Sequence, residues 1–91
     1  MRVRWTPEAL LEFRAAREFI ATDNPKAAQK IAARVRAAST QLGSHPRMGR
    51  PGRVEGTREL VISGTPFILV YAVLREEVAI LTLLHSAQSY P

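Results

Sequence analysis

Two helix-start signatures, eighteen residues apart, constrain the fold of this 91-residue chain more than any other feature. Thr6-Pro7 and Asn24-Pro25 each place an N-cap residue before a proline at the first helical position, where the N–H that proline lacks would have no partner anyway. We therefore expect a first helix that ends near Thr22 and a second helix that begins almost at once. Because the connection is so short, the two helices should pack side by side as a hairpin.

Apolar residues recur at helical spacing in both predicted helices. The core-facing sets are Ala9, Phe13, Ala16 and Ile20 in the first helix and Ile31, Val35, Ala38 and Leu42 in the second. Gly43 is predicted to stop the second helix in the left-handed conformation. A second apolar stripe on the first helix, formed by Leu11, Ala15 and Phe19, should contact either the neighbouring helix or a partner.

Strand patterns precede and follow the helical hairpin. The predicted strands are residues 1–5, 57–62, 67–73 and 78–84. In the second, Leu60 and Ile62 should point inward. The third is apolar throughout, which suits a central strand. The last three are joined by turns short enough to force antiparallel pairing, whereas Ser44 to Gly56 is predicted to be a loop. The order β-α-α-β-β-β indicates one α+β domain over residues 1–91, with the helical hairpin packed on one face of an antiparallel sheet.

Basic residues are concentrated in one part of the chain. Thirteen Lys and Arg against eight Asp and Glu give a net charge of +5, and the stretch from Asn24 to Val54 contains no acid. Its seven basic residues are Lys26, Lys30, Arg34, Arg36, Arg47, Arg50 and Arg53. This distribution favours anionic partners such as nucleic acid or an acidic protein segment.

The residue types that the chain lacks exclude several classes of protein. It has no cysteine, which rules out disulfides, thiolate zinc sites and a cysteine nucleophile. Its longest apolar run, Phe67 to Leu74, is far shorter than the ~20 residues of a membrane-spanning helix. We therefore expect a cytoplasmic protein with no membrane contact, no metal and no cofactor.

Five segments in this order resemble the RelE/ParE superfamily of type II toxin–antitoxin toxins, most closely the ParE branch of plasmid stabilisation proteins. They are Trp5-Thr6-Pro7-Glu8-Ala9, Asp23-Asn24-Pro25-Lys26-Ala27-Ala28, His45-Pro46-Arg47-Met48-Gly49-Arg50-Pro51-Gly52, Gly56-Thr57-Arg58-Glu59-Leu60 and His85-Ser86-Ala87-Gln88-Ser89-Tyr90-Pro91. The resemblance implies a toxin that forms a hetero-oligomer with an acidic, ParD-like antitoxin. It further implies one of two targets, since ParE-type toxins inhibit DNA gyrase and RelE-type toxins cut mRNA on the ribosome.

The residues favour the gyrase inhibitor over the endonuclease. RelE-type enzymes use lysines in the segment that corresponds to the predicted loop, and this chain has no lysine after Lys30. A YoeB-like site would need Glu55 as base, Arg58 on the phosphate and His85 as acid. We interpret Glu55 instead as the ion-pair partner of Arg58, and His85 as a packing residue. An mRNA endonuclease that uses these three side chains stays the alternative.

The predicted binding surface for the target or the antitoxin combines basic, apolar and aromatic side chains. Its members are Lys26, Lys30, Arg34, Arg47, Arg50, Arg53, Arg58, Leu11, Phe19 and Tyr90. Tyr90 has two interpretations, since it could stack on a base or cover the edge of the core. Leu11 and Phe19 also have two, as a docking site for antitoxin or as part of the core between the helices.

Overall fold

Both predicted helix starts form in the computed structural model, which describes residues 1–91. Helix α1 spans Pro7–Asp23, and the Thr6 hydroxyl accepts a hydrogen bond from the Ala9 N–H at 3.1 Å. Helix α2 spans Pro25–Ser44, and the Asn24 side-chain oxygen accepts from the Ala27 N–H, also at 3.1 Å. Asn24 alone separates the helices, which pack against each other as the predicted hairpin.

The predicted role of Gly43 is wrong. Helix α2 continues through Gly43 to Ser44, and the left-handed glycines of the chain are Gly56 and Gly64. A Cβ atom on Gly43 would lie 2.7 Å from the carbonyl oxygen of Met1, so glycine allows the chain before β1 to cross this helix closely. The glycine therefore serves a tertiary contact rather than a local stop signal.

Five strands form one sheet in the order β1-β5-β4-β3-β2. The strands are β1 (Arg2–Trp5), β2 (Arg50–Pro51), β3 (Arg58–Val61), β4 (Phe67–Val73) and β5 (Glu77–His85). The predicted hairpins β3–β4 and β4–β5 are antiparallel, which confirms the α+β class. Two details differ from the prediction: β1 pairs in parallel with β5, so the sheet is mixed, and the predicted loop contains the short strand β2.

The main core lies between the helical hairpin and one face of the sheet, here called the helix face. Its buried members are Ala9, Val35, Ala38, Leu42, Ile62, Phe67, Leu69, Tyr71, Val78, Ile80 and Leu83, and the remaining predicted core positions of both helices and β3 pack against them. On the opposite face, here called the far face, Ile68, Val70 and Leu84 form a smaller cluster that Tyr90 contacts. Central strand β4 is thus covered on both faces, as its continuous apolar sequence predicts.

Neither helix combines the length and the apolar character that a membrane-spanning segment needs.

Candidate functional site

The loop between α2 and β3, residues 45–57, carries three of the seven predicted basic residues and is anchored by the buried hydroxyl of Tyr71. This tyrosine is 0% exposed. Its hydroxyl accepts from the Gly49 N–H and donates to the Pro46 carbonyl oxygen, both at 2.8 Å. A Cβ atom on Gly49 would lie 2.7 Å from both the Tyr71 hydroxyl and the Glu59 carbonyl oxygen, so this position accepts only glycine without a shift. The first half of the loop is therefore held directly to the core.

Arg58 holds the same loop from the helix face of the sheet. Arg58 is the cross-strand partner of Tyr71, and its Nη1 donates to the Gly49 carbonyl oxygen at 2.6 Å. A longer contact of 3.5 Å reaches the carbonyl oxygen of Arg47. The predicted ion pair between Arg58 and Glu55 is wrong, because Glu55 is exposed and belongs to none of the ion pairs. A turn with Gly56 at φ 83° separates the two residues, and the carbonyl groups of the loop occupy the guanidinium instead.

Glu59 is the central charged residue of the far face, and the sequence analysis does not single it out. It is 2% exposed, and its carboxylate accepts from the Arg53 backbone N–H at 2.9 Å. The side chains of Arg53 and Arg50 lie at 3.3 and 3.4 Å from the same carboxylate. Burial alone raises the pKa of Glu59, but the Arg53 N–H bond and the charges of Arg53 and Arg50 outweigh it, so the net pKa is lowered. Glu59 therefore stays ionised and ties β2 and the second half of the loop to β3.

No local pattern identifies Glu59 in advance. Its position in β3 alternates with the inward Leu60 and Ile62, so the strand period places it on the face away from the helices. A lone carboxylate on that face is expected to be exposed to solvent. The residues that contact the Glu59 carboxylate, Arg50 and Arg53, come from the loop that folds over the far face and not from β3 itself.

Tyr90 belongs to the covering of the far face. Its side chain packs against the cluster of Ile68, Val70 and Leu84. The Arg53 guanidinium lies 5.6 Å from the centre of the Tyr90 ring and donates to the Tyr90 carbonyl oxygen at 3.4 Å. Of the two interpretations of Tyr90, the structure therefore supports the one in which it covers the edge of the core.

The three side chains of the endonuclease alternative are not brought together. His85 pairs with Phe67 and Arg58 pairs with Tyr71, and these partners are four residues apart in β4, about 13 Å at the usual strand rise. The His85 Nδ1 accepts from the Ala87 N–H at 3.1 Å, and the ring meets Phe67 edge-on at 5.7 Å. The exposed His85 ring thus contacts Phe67 and its own segment, and its contacts include neither Glu55 nor Arg58.

The predicted basic residues form separate groups rather than one surface. Lys26 and Lys30 are exposed on α2, and Arg34, also exposed, donates to the carbonyl oxygen of Ser63 at 3.2 Å. Arg58 lies on the helix face with exposed Arg47 near it. Arg50 and Arg53 sit beside Glu59 on the far face, as described above.

An open apolar groove runs along the outer side of α1, beside the end of β5. It has a volume of about 440 Å³, and its lining includes Ala15, Phe19, Phe67 and Leu83. Phe19 is 79% exposed and Leu11, two turns earlier on the same stripe, is 62% exposed. The interpretation of these two residues as core between the helices is therefore wrong, and the stripe is free to meet a partner.

Polar side chains close the sheet edge beside this groove. Strand β1 pairs only with Glu77–Ile80, so the later part of β5 has no neighbouring strand on that side. Glu12 accepts from the Leu83 N–H at 3.2 Å and from the Thr82 hydroxyl at 2.8 Å. Gln88 accepts from the His85 N–H at 2.6 Å. The groove therefore combines an apolar floor with a sheet edge whose N–H groups are satisfied by side chains alone.

No group of three or more His, Asp or Glu side chains comes close enough to hold a metal ion.

Comparisons with known proteins find toxins. Residues 3–90 match a family described as the ParE toxin of the type II toxin–antitoxin system parDE. A Sinorhizobium fredii protein named "Putative toxin Y4kP" is 41% identical over 99% of this chain and 93% of its own length. "Toxin RelE2" of Caulobacter vibrioides is 34% identical over 96% of this chain and 97% of its own length.

Two solved structures share the fold. The chromosomal ParDE toxin–antitoxin system of P. aeruginosa contains a chain that superposes with a TM-score of 0.84 at 25% identity, covering 93% of this chain and 95% of that one. A YoeB/ParE toxin from Agrobacterium tumefaciens superposes with a TM-score of 0.64 at 14% identity, covering 93% of this chain and 98% of that one, a similarity of fold alone.

Proposed function

Since the chain belongs to the ParE toxin family of type II toxin–antitoxin systems, we propose that it inhibits DNA gyrase by binding and that a ParD-like antitoxin neutralises it. The observation that carries this proposal is the arrangement around Arg58. Its guanidinium binds loop carbonyl groups, and neither Glu55 nor His85 lies beside it to move a proton. A binding inhibitor needs no such proton transfer, whereas an endonuclease does. A gyrase inhibitor acts in the cytoplasm, so we propose that location too.

One assay with two arms tests the target. Purified toxin is incubated with gyrase and supercoiled plasmid, and in parallel with a reconstituted translation mixture. We expect linear, protein-linked DNA in the first arm after detergent treatment and intact mRNA in the second. Codon-phased mRNA cuts with unaffected gyrase would refute the proposal.

The alternative, a ribosome-dependent mRNA endonuclease, is supported by one finding, the relative named "Toxin RelE2". In that mechanism Arg58 would stabilise the phosphorane charge, and Arg58→Ala would lower the cleavage rate by at least about 100-fold, as the loss of a charge-stabilising group does elsewhere. Glu55→Gln and His85→Gln would each lower it as well. If the chain is a gyrase inhibitor, the unmodified protein does not cleave mRNA, and none of the three variants changes that.

The exposed basic residues of the loop and α2 are the proposed contacts of the target. The side chains of Lys26, Lys30 and Arg47 make no ion pair and no hydrogen bond, so neutral replacements there remove charge without breaking a side-chain contact. We expect each change to glutamine to weaken gyrase inhibition gradually. Arg75→Gln, an exposed charge in the β4–β5 turn, is the matched control. Equal loss in all four variants would show a net-charge effect without a contact.

For the antitoxin, we propose that an apolar segment docks in the groove beside α1. Phe19 is the largest exposed side chain there, and buried aromatic anchors dominate the energy of such interfaces. Phe19→Ser should raise the dissociation constant for the antitoxin encoded beside this toxin by about 30-fold, corresponding to ~2 kcal/mol. Leu74→Ser removes an exposed apolar residue at the β4–β5 turn, away from the groove, and should leave binding unchanged. Unchanged affinity after Phe19→Ser would exclude the groove.

A further inference from the structure

The outer surface between α1 and α2 contains two arginines that lie over the same aromatic ring. The guanidinium carbon of Arg17, on α1, is 5.8 Å from the centre of the Phe13 ring, and that of Arg36, on α2, is 5.6 Å from it. Both guanidinium groups therefore lie beside one ring, although they belong to different helices. Phe13 is itself fixed, because it packs on the core and lies 5.4 Å from the ring of Trp5.

Neither arginine has an anionic partner. Every ion pair of the structure involves Glu59 or Glu77, and none includes Arg17 or Arg36. Positions three and four residues before and after each arginine, where a helical ion-pair partner would stand, contain no acid. Neither guanidinium is neutralised by the chain itself, so both are available to bind an anion.

All acids of the helical hairpin belong to α1. Helix α2 has none, and Glu12 of α1 is directed to β5 on the opposite flank, where it binds Thr82. Arg14 is one turn from Arg17 on the same flank and is also outside every ion pair. Glu18 follows Arg14 by one helical turn, so the positions free of acids are those around Arg17 and Arg36 themselves.

We propose that Arg17 and Arg36 form a phosphodiester-binding site that takes the backbone of duplex DNA. A planar guanidinium fork matches two phosphate oxygens at once, and the contact with the Phe13 ring restricts where each fork lies. An acidic protein segment would in addition need apolar anchors. Those anchors, Leu11 and Phe19, lie on the other flank of α1, whereas this flank has one exposed large apolar residue, Leu10. The choice of DNA as the source of the phosphodiester rests on the proposed function, in which the target is a DNA-bound enzyme.

Salt dependence of DNA binding measures such contacts directly. Each phosphate neutralised by an arginine contributes about 0.9 to the slope of log K against log salt concentration. The full chain is titrated onto a fluorescein-labelled duplex of about 20 base pairs, followed by fluorescence anisotropy at several salt concentrations. With one backbone phosphate bound by each arginine, the double variant Arg17→Gln/Arg36→Gln should lower the magnitude of the slope by about 1.8, and each single variant by about 0.9.

The control variant Arg2→Gln/Arg75→Gln has the same net charge and removes two exposed arginines next to the β4–β5 turn. Its slope should match that of the unmodified chain. Circular dichroism checks that all variants are folded. If the double variant is unfolded, the slopes of the two single variants are compared with that of the unmodified chain instead. An equal fall in slope for the control, an unchanged slope for Arg17→Gln/Arg36→Gln, or no DNA binding by the unmodified chain would each overturn the proposal.

Two further arms separate the other possible ligands. A single-stranded RNA of the same length replaces the duplex, and binding to RNA alone through the pair would overturn the assignment to DNA. Weaker antitoxin binding by Arg17→Gln/Arg36→Gln, with an unchanged DNA slope, would assign the pair to an acidic protein segment instead. Gyrase is absent from these titrations. A failure to trap gyrase would therefore refute the proposed target but would not refute DNA binding by Arg17 and Arg36.

Discussion

Replacing Glu59 with glutamine tests whether this buried carboxylate holds the basic loop. The variant keeps the shape of the side chain but removes the charge that receives the Arg53 N–H and the side chains of Arg53 and Arg50. Arg53 and Arg50 are 40% and 60% exposed, so solvent screening limits each side-chain contact to about 0.5 kcal/mol. The backbone bond at 2.9 Å loses its charged acceptor, a loss of about 1 kcal/mol.

The free energy of unfolding should therefore fall by about 2 kcal/mol at pH 7, which lowers the melting temperature of a chain this small by roughly 8–16 °C. Glu55→Gln is the matched control, because Glu55 is exposed and belongs to no ion pair. Thermal unfolding followed by circular dichroism compares the two variants with the unmodified chain. We expect the Glu55→Gln protein to melt with the unmodified chain.

The pH dependence has a defined sign. The pKa of Glu59 in the folded chain lies below its ordinary value of 4.5, since the arginine contacts outweigh the effect of burial. The stabilisation by Glu59 is therefore fully present above that ordinary value and is lost as the pH falls through the folded-state pKa. The difference in melting temperature between Glu59→Gln and the unmodified chain should be constant from pH 8 to about 5 and narrow below that. Equal melting of Glu59→Gln and Glu55→Gln at pH 7, or a difference that widens in acid, would refute the reasoning.

Three substitutions test the remaining anchors by urea unfolding. Tyr71→Phe leaves the buried Gly49 N–H without its partner and should lower the free energy of unfolding by about 1–3 kcal/mol, whereas Tyr90→Phe, whose hydroxyl makes no hydrogen bond, should leave it unchanged. Gly49→Ala should destabilise more than Gly56→Ala, because the new methyl group meets atoms at 2.7 Å at residue 49 and open space at residue 56, where only the φ of 83° is strained. Equal losses would contradict the close approach at Gly49. Asn24→Ala removes the cap of α2 and should lower the free energy of unfolding by about 1 kcal/mol, and no loss would mean that the cap is not formed in solution.

Local patterns were sufficient for both helices, for four of the five strands and for the core positions of the helices. The caps at Thr6 and Asn24 form, and the helix period identifies the residues that face the sheet, because both depend on neighbours within one or two turns. The parallel pairing of β1 with β5 was beyond such patterns. The short turns after β3 and β4 require each following strand to pair antiparallel. The helical hairpin that follows β1 is long enough to allow either a parallel or an antiparallel pairing of β1.

The candidate site was predicted less completely than the fold, since its contacts join residues distant along the chain. Arg58 and Glu55 are three residues apart and oppositely charged, yet Arg58 binds the carbonyl oxygen of Gly49 instead. Arg17 and Arg36 lie nineteen positions apart in sequence, and only the packing of the two helices brings them to the same ring.

The order of most elements, the core-facing residues and the cationic character of this toxin follow from its amino-acid sequence, because helix caps, apolar periodicity and composition are local or additive properties. The tertiary structure alone decided which charges are paired and which are free. Glu59 becomes a buried anchor and Phe19 an exposed one only when the loop, the segment after β5 and the helices take their places. Burial and ion pairing depend on distances in space, and a strand or helix period specifies the direction of a side chain but not what meets it there.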